Sequence, residues 1–280
     1  MKELCVVSMS GGLDSSTLLA KALYEGKTCL PINYNYGQVN VVEMNAQKNV
    51  WNFFKEKYPT QLLDTIVIDF TSTVGDVIKT FRKNVENGHA EETTDMKYYM
   101  PSRNLLFMSM AAVVGEIIAN DKEIKNLSLG LGIHQHSDIY ARDYWDISPQ
   151  FASKLSDLLS LNDNVNVSIY APYKDGFKSE IVKDVKFLNV PYKKTWTCYE
   201  PKRSMLAKGF ESNDIGKDIY RPCLKCEACL ERGTQAEGII DDINDYKIEI
   251  VENNQQTLEQ QLEKSKFQTE FLKQKLSLLS

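Results

Sequence analysis

The chain has 280 residues, with 33 Lys+Arg against 38 Asp+Glu for a net charge of −5, and is 42% hydrophobic and 25% charged. That composition can bury a core, which excludes a chain disordered throughout, and no run nears the roughly 18 uninterrupted apolar residues of a membrane span. The acidic balance argues against a dominant nucleic-acid-binding face. The start, Met1-Lys2-Glu3-Leu4-Cys5, turns polar too soon for a secretory signal, so a cytoplasmic setting is expected.

In chain order, the apolar run 3–9 suits a buried strand and is broken by Gly11 and Gly12. A helix follows over Ser15–Tyr24, with Leu18, Leu19, Ala22 and Leu23 on one face. Thr28–Asn35 reads as a strand, Gln38–Tyr58 as a long helix ending at Pro59, and Asp64–Phe70 as a third strand. Residues 84–100 are polar and turn-rich and read as a mobile loop. Pro101 marks a helix start, with the apolar helix over Ser102–Ala119. Then come a strand at Lys125–Leu131, a polar loop at 132–148, a helix at 149–161, a strand at 165–170 and a helix at 177–188. This alternation predicts an α/β fold with a doubly wound, mostly parallel sheet, Rossmann-like, binding ligands at the carboxyl ends of its strands.

From Thr257 the chain is rich in Gln, Lys, Glu and Leu, and Leu258, Leu262, Leu272, Leu276 and Leu279 follow a helical stripe. The expected division is an α/β domain over 1–240 and a helical extension over 241–280. The extension either docks on its own domain or binds a partner.

Two motifs carry chemistry. Ser10-Gly11-Gly12-Leu13-Asp14-Ser15-Ser16 sits between the first strand and the first helix. Paired glycines let the backbone approach an anion, and the helix N-terminus offers unpaired N–H groups and the positive dipole end. It is neither a Walker loop nor a dinucleotide fingerprint. A bland alternative is an ordinary capped turn. The second motif is the C-x-x-C-x-x-C run Cys223, Cys226 and Cys229, with Cys198 as the natural fourth ligand of a tetrahedral metal site inside segment 196–232. Structural zinc is favoured over an iron–sulfur cluster. Cys5 and Cys29 lie in apolar runs and read as small buried hydrophobes.

The first motif resembles the SGGxDS loop of N-type ATP pyrophosphatases. Further segments narrow the resemblance: Tyr36-Gly37-Gln38 with Glu43 beyond it, Pro101-Ser102-Arg103-Asn104, Gly130-Leu131-Gly132-Ile133, Lys178-Ser179-Glu180, and Thr195-Trp196-Thr197-Cys198-Tyr199. In order, over about residues 3–238, they are similar to the 7-cyano-7-deazaguanine synthase family. The resemblance implies a carbon–nitrogen ligase that uses ATP and Mg²⁺, carries a structural zinc, and converts 7-carboxy-7-deazaguanine and ammonia to the nitrile precursor of queuosine. It implies an ATP-binding stretch of Met9, Ser10, Gly11, Gly12, Leu13, Asp14, Ser15, Ser16 and Thr17. Asp14, Arg103 and Lys178 become the catalytic candidates, with Asp14 helping to organise Mg²⁺. Tyr36, Gln38, Asn104, Asp138, Tyr144 and Asp146 become the substrate-binding candidates. Asp146 would accept from the guanine-like N–H groups, and Tyr36 or Tyr144 would stack on the bicycle. For Arg103 and Lys178 the bland alternative is a surface salt bridge, and for the tyrosines it is core packing. A homodimer is expected, and nucleic acid is not expected as a direct ligand.

The chain departs from the family pattern on the substrate rim. Val39 and Asn40 follow Y-G-Q where the family usually has Arg-His. The loop after the fourth strand is longer and carries His134 and His136. Three readings therefore stay open: nitrile synthesis; a relative that stops at the amide or joins the acid to another amine, such as a protein terminus in a defence system; and an inactive, zinc-stapled nucleotide-binding protein. A tRNA-thiolating enzyme is a weaker rival, since it would want a basic RNA-binding face.

Overall fold

The structure is a computed structural model that describes residues 3–36, 41–75, 77, 100–135, 144–200, 202–204 and 217–251. Its central sheet holds β1 (Glu3–Ser8), β2 (Thr28–Asn35), β3 (Ile66–Asp69), β4 (Asn126–Gly130) and β5 (Asn166–Tyr170). The strand order is β3-β2-β1-β4-β5 and every pairing is parallel. The helices that position the site are α1 (Leu13–Tyr24), α2 (Val41–Lys57), α3 (Arg103–Asp121), α4 (Pro149–Leu159), α5 (Lys178–Phe187) and α6 (Glu227–Thr234).

The alternation of side chains along β1 divides the core. Cys5 and Val7 point into one apolar cluster with Leu18, Leu19 and Leu23 of α1 and Ile181, Val182 and Val185 of α5. Leu4 and Val6 point into another with Met108 and Ala111 of α3 and Phe151 and Leu155 of α4. A strand buried on both faces is what a parallel sheet under two helical layers requires. The expected apolar face of α1 is buried, but so are Ser16, Thr17 and Ala20. Cys5 and Cys29 lie opposite each other on β1 and β2 and are fully buried, in line with their reading as packing residues.

Helix α3 has the length and mean hydropathy, 1.2, of a membrane span. In this fold it lies against β1 and β4 as a core helix. It starts two residues after Pro101, because Ser102 takes the left-handed conformation with φ 56°. That conformation is uncommon for a residue with a side chain.

A smaller unit was not foreseen. Strands β6 (Lys202–Ser204), β7 (Lys217–Arg221) and β8 (Ile248–Val251) form an antiparallel sheet in that order. Tyr246 and Ile248 join Trp196, Cys198, Cys223 and Cys229 in a third apolar cluster, which also takes Val42 and Ala46 of α2. Residues 241–251 are therefore turn and strand rather than the start of a helical extension. Strand β8 thus lies beyond the boundary expected at 240, where it completes this sheet and packs Ile248 with the cysteines. The leucine stripe from 258 to 279 lies outside the described residues, as do residues 84–99 of the expected loop.

Candidate active site and metal centre

In the order β3-β2-β1-β4-β5, β1 is the strand from which the sheet is built outward in both directions. The crevice beyond its carboxyl end, between the loops after β1 and β4, is where such sheets take ligands. A cleft of about 350 Å³ opens there. Its floor is the loop after β1.

That loop is held in a defined shape. Gly11 has φ +86°, and a Cβ on it would lie 2.4 Å from the Gln47 amide nitrogen. Only glycine lets the loop pass so close to the α2 backbone. The Gly12 amide donates to Ser10 Oγ at 3.2 Å, and Ser10 Oγ lies 3.2 Å from Ser15 Oγ. Gly12 caps α1 without a side-chain hydrogen bond. The first amides of α1 therefore present donors to the cleft, the arrangement that binds phosphate.

Met9, Ser10, Gly12, Leu13, Asp14 and Ser15 line the cleft. Gly11, Ser16 and Thr17, expected with them, do not. Gly11 turns its carbonyl to the Trp196 amide at 2.9 Å. The Ser16 and Thr17 hydroxyls donate back to Gly12 O at 2.6 Å and Leu13 O at 2.7 Å inside the helix. A hydroxyl inside a helix shares the carbonyl four residues back with the helix's own amide.

Lys178, at the start of α5, is only 4% exposed. Its Nζ lies 3.3 Å from Asp14 Oδ2 and 3.0 Å from Glu231 Oε2. Burial works against the ammonium, yet the two carboxylates outweigh it and raise the Lys178 pKa. His134 Nε2 is 3.8 Å from the same Asp14 oxygen, and burial lowers its pKa, which favours the neutral ring. Asp14 Oδ1 is buried and has no hydrogen-bond partner among the described residues. An unpaired carboxylate oxygen beside a phosphate-binding loop fits a hard cation such as Mg²⁺.

On the opposite wall, Arg103 opens α3. Burial opposes its charge, but the Tyr36 and Tyr199 hydroxyls and the Asp146 carboxylate outweigh that, so its pKa rises. Tyr36, Asn104 and Tyr144 line the cleft as expected. Asp146 does not. It is 3% exposed, accepts the Asn104 amide at 3.0 Å, and receives the Asn104 side-chain amide on its backbone carbonyl at 3.0 Å. It holds the start of α3, where a carboxylate meets the positive helix end. Gln38 and Asp138 lie outside the described residues, as does His136.

The cleft also holds residues to which sequence reasoning gave no role. Glu43 on α2 lines it, and desolvation raises its pKa to about 7 against the opposing effect of Arg103. Glu231 lines it beside Lys178. Glu43 was visible as an acidic residue a turn beyond Tyr36-Gly37-Gln38. Nothing in the sequence ties residue 231 to residue 178.

The four cysteines converge as expected. The Sγ atoms of Cys198, Cys223, Cys226 and Cys229 all lie within 4.8 Å of one another. Zn–S bonds of about 2.3 Å place sulfurs about 3.8 Å apart in a tetrahedron. Leu224 takes φ 62°, turning the chain so that the amides of Lys225 and Cys226 donate to Cys223 Sγ at 3.5 and 3.2 Å. The Cys223 amide donates to Cys198 Sγ at 3.2 Å. Amide donors aimed at crowded sulfurs stabilise thiolates, so the donor set fits a tetrahedral metal ion.

The model of the family described as "Queuosine biosynthesis protein QueC" matches residues 4–238. The chain belongs to this family. Among QueC relatives, the 7-cyano-7-deazaguanine synthase of Picrophilus torridus is 30% identical over 246 residues, 85% of this chain and 90% of the relative. The enzyme of the same name from Pseudoalteromonas translucida is 29% identical, covering 83% of this chain and 93% of its own length. 7-Cyano-7-deazaguanine synthase 2 of Colwellia psychrerythraea is 30% identical, covering 87% and 98%. The QueC match ends at 238, just after α6, so it takes in the phosphate loop, Lys178, Glu231 and all four cysteines.

Proposed function

We propose that this chain is an ATP-dependent carbon–nitrogen ligase that adenylates the carboxylate of 7-carboxy-7-deazaguanine and joins it to ammonia. The product is 7-cyano-7-deazaguanine, with AMP and pyrophosphate released. Membership of QueC supports the substrate class. The observation that carries the reaction type is the meeting, in one cleft, of the α1 N-terminus, Asp14 and Lys178.

Hydroxide leaves a carboxylate poorly. The carboxylate oxygen attacks the α-phosphorus of ATP, the α–β bridging bond breaks, and pyrophosphate leaves. Ammonia then displaces AMP and loses a proton, giving the amide. The amide oxygen attacks the α-phosphorus of a second ATP and expels a second pyrophosphate, and loss of AMP and the two nitrogen protons then leaves the nitrile. The α1 amides and the Ser10 and Ser15 hydroxyls would bind the departing pyrophosphate. Lys178 would neutralise charge that grows on phosphate oxygens. Arg103 would orient the substrate carboxylate through its planar fork. Tyr36, Phe107 and Tyr144 provide aromatic surface for a flat bicycle. Asp14 would hold Mg²⁺, which supplies charge neutralisation at the phosphates when bound. The four cysteines would hold zinc, which supplies stability to the C-terminal segment.

A second reading changes the acceptor. His134 sits in the cleft next to Asp14, within the loop that departs from the family pattern. That departure favours a different amine or an amide end product. Incubation with the deazaguanine acid, ATP, Mg²⁺ and ammonia, read by mass spectrometry, separates the two. Nitrile with AMP supports the first reading, and amide or adduct with AMP supports the second. Formation of ADP, or no substrate-dependent AMP, would sink both.

A further inference from the structure

We propose that Glu231 is a positioning residue, which holds the Lys178 ammonium on the cleft from the metal-binding helix so that Asp14 is released to a divalent cation without the lysine following it. This rests on the reading of the cleft as an Mg²⁺–ATP site. Lys178 is bridged between two carboxylates from different elements, Asp14 on α1 at 3.3 Å and Glu231 on α6 at 3.0 Å. They are not equivalent. The Asp14 side chain is 27% exposed and that of Glu231 only 9%. Asp14 is the more exposed of the two, and its buried Oδ1 has no hydrogen-bond partner among the described residues. If Asp14 were the sole partner, a cation drawn to it would compete with the ammonium for the same carboxylate. A second, enclosed carboxylate keeps the buried ammonium compensated.

Helix α6 is built to hold that carboxylate in place. Residues three apart share a helix face. Ala228 and Glu231 line the cleft, whereas Cys229 and Arg232, about 100° further round the helix, are fully buried and do not. Cys229 is one of the four clustered thiols. Arg232 is 0% exposed and donates to Ile243 O, Thr195 Oγ1, Thr197 Oγ1 and Tyr192 O at 2.8–3.1 Å. The cysteine cluster and Arg232 thus hold α6 along one side while Glu231 reaches the cleft from the neighbouring one. The C-terminal segment lines the cleft with Trp196, Thr197, Tyr199, Ala228 and Glu231, and of these Glu231 carries the charge that meets Lys178.

The test measures binding of the non-hydrolysable analogue AMP-PNP to the full, metal-loaded chain as Mg²⁺ is titrated. In Glu231→Gln, Asp14 is the one charged partner left of the two that Lys178 has here, so the Mg²⁺ midpoint should rise about tenfold or more, the order expected from one charge-assisted hydrogen bond. Zinc content and melting temperature should stay at wild-type values. In a Lys178→Met background, adding Glu231→Gln should shift the midpoint by less than about twofold, because no ammonium remains to compete. Equal midpoints in wild type and Glu231→Gln would overturn the inference alone. So would the same shift in the Lys178→Met background, since Glu231 would then act directly. Absence of nucleotide binding by the wild-type chain would overturn the ATP reading and this inference with it. If Glu231→Gln loses zinc, Glu231→Asp replaces it: a raised midpoint with zinc retained supports the proposal, and zinc loss in both variants overturns it in favour of a purely structural role.

Discussion

The backbone amide of Trp196 donates to the Gly11 carbonyl at 2.9 Å, and the Trp196 indole donates to the Cys198 carbonyl at 2.9 Å. A single buried residue thus links the loop after β1 to the cysteine cluster. Disturbing the cysteine cluster should therefore loosen the loop as well as the C-terminal segment. Cys226→Ala is expected to lower bound zinc, reduce stability by more than about 2 kcal/mol and weaken ATP binding. Metal analysis, thermal melting and calorimetry read the three effects. Unchanged zinc stoichiometry and melting would show that the thiols do not form one site.

Gly11 is the point at which the loop cannot accept a side chain. In Gly11→Ala the new Cβ would meet backbone, not a movable side-chain tip. The loop or α2 must then shift, on top of the cost of a positive φ. A loss of at least about 2 kcal/mol in stability is expected, with nucleotide binding weakened in parallel. A denaturant melt and an AMP-PNP titration check it. A variant with wild-type affinity would mean that the loop tolerates a different path.

Asp14→Ala probes chemistry rather than folding. Lys178 keeps Glu231, so the buried ammonium is not left alone, and the chain should fold. Substrate-dependent AMP should disappear while the melting temperature stays within a few degrees of wild type. Residual AMP at more than about a hundredth of the wild-type rate would place the cation elsewhere.

Glu43 gives a pH signature. Its folded pKa, about 7, lies above the ordinary carboxylate value because burial disfavours the charge. Between the unfolded and folded values, the folded state binds more protons, so this group's contribution to stability falls as pH rises through that window. Glu43→Gln removes the penalty. The variant should gain melting temperature over wild type at pH 8 and gain little or nothing at pH 4. Paired melts at the two pH values decide it; equal gains would mean that the effect is not the titration of Glu43.

Much of this molecule is legible locally. A strand covered on both faces reads as a continuous apolar run, so β1 falls within the run 3–9 and β2 on Thr28–Asn35, where each is predicted. A loop that passes this close to a helix backbone at a strand–helix junction needs glycine there, so Gly11 and Gly12 mark it. Thiols that cluster within one turn of chain are close in sequence, so Cys223, Cys226 and Cys229 announce themselves. These features depend on backbone period, allowed φ and reach, and all three are written within a few residues.

Tertiary packing decided the rest. Lys178 finds Asp14 across 164 residues and Glu231 across 53, and no local pattern encodes either pairing. Asp146, read as a substrate ligand, caps α3 instead because the short turn at Trp145–Ile147 brings its carboxylate to the Asn104 amide. Ser16 and Thr17 belong to the loop motif by sequence, but the rotation of α1 points their hydroxyls into the helix and away from the cleft. The small antiparallel sheet has strands of three to five residues, too short for periodicity to register, and takes its order from covering the cysteines. By itself, the sequence settled which chemistry-bearing groups the chain carries and the local backbone that presents them. Only the packing of α1, α5 and α6 around one cleft determined which of those groups meet, because those contacts join residues that no spacing rule connects.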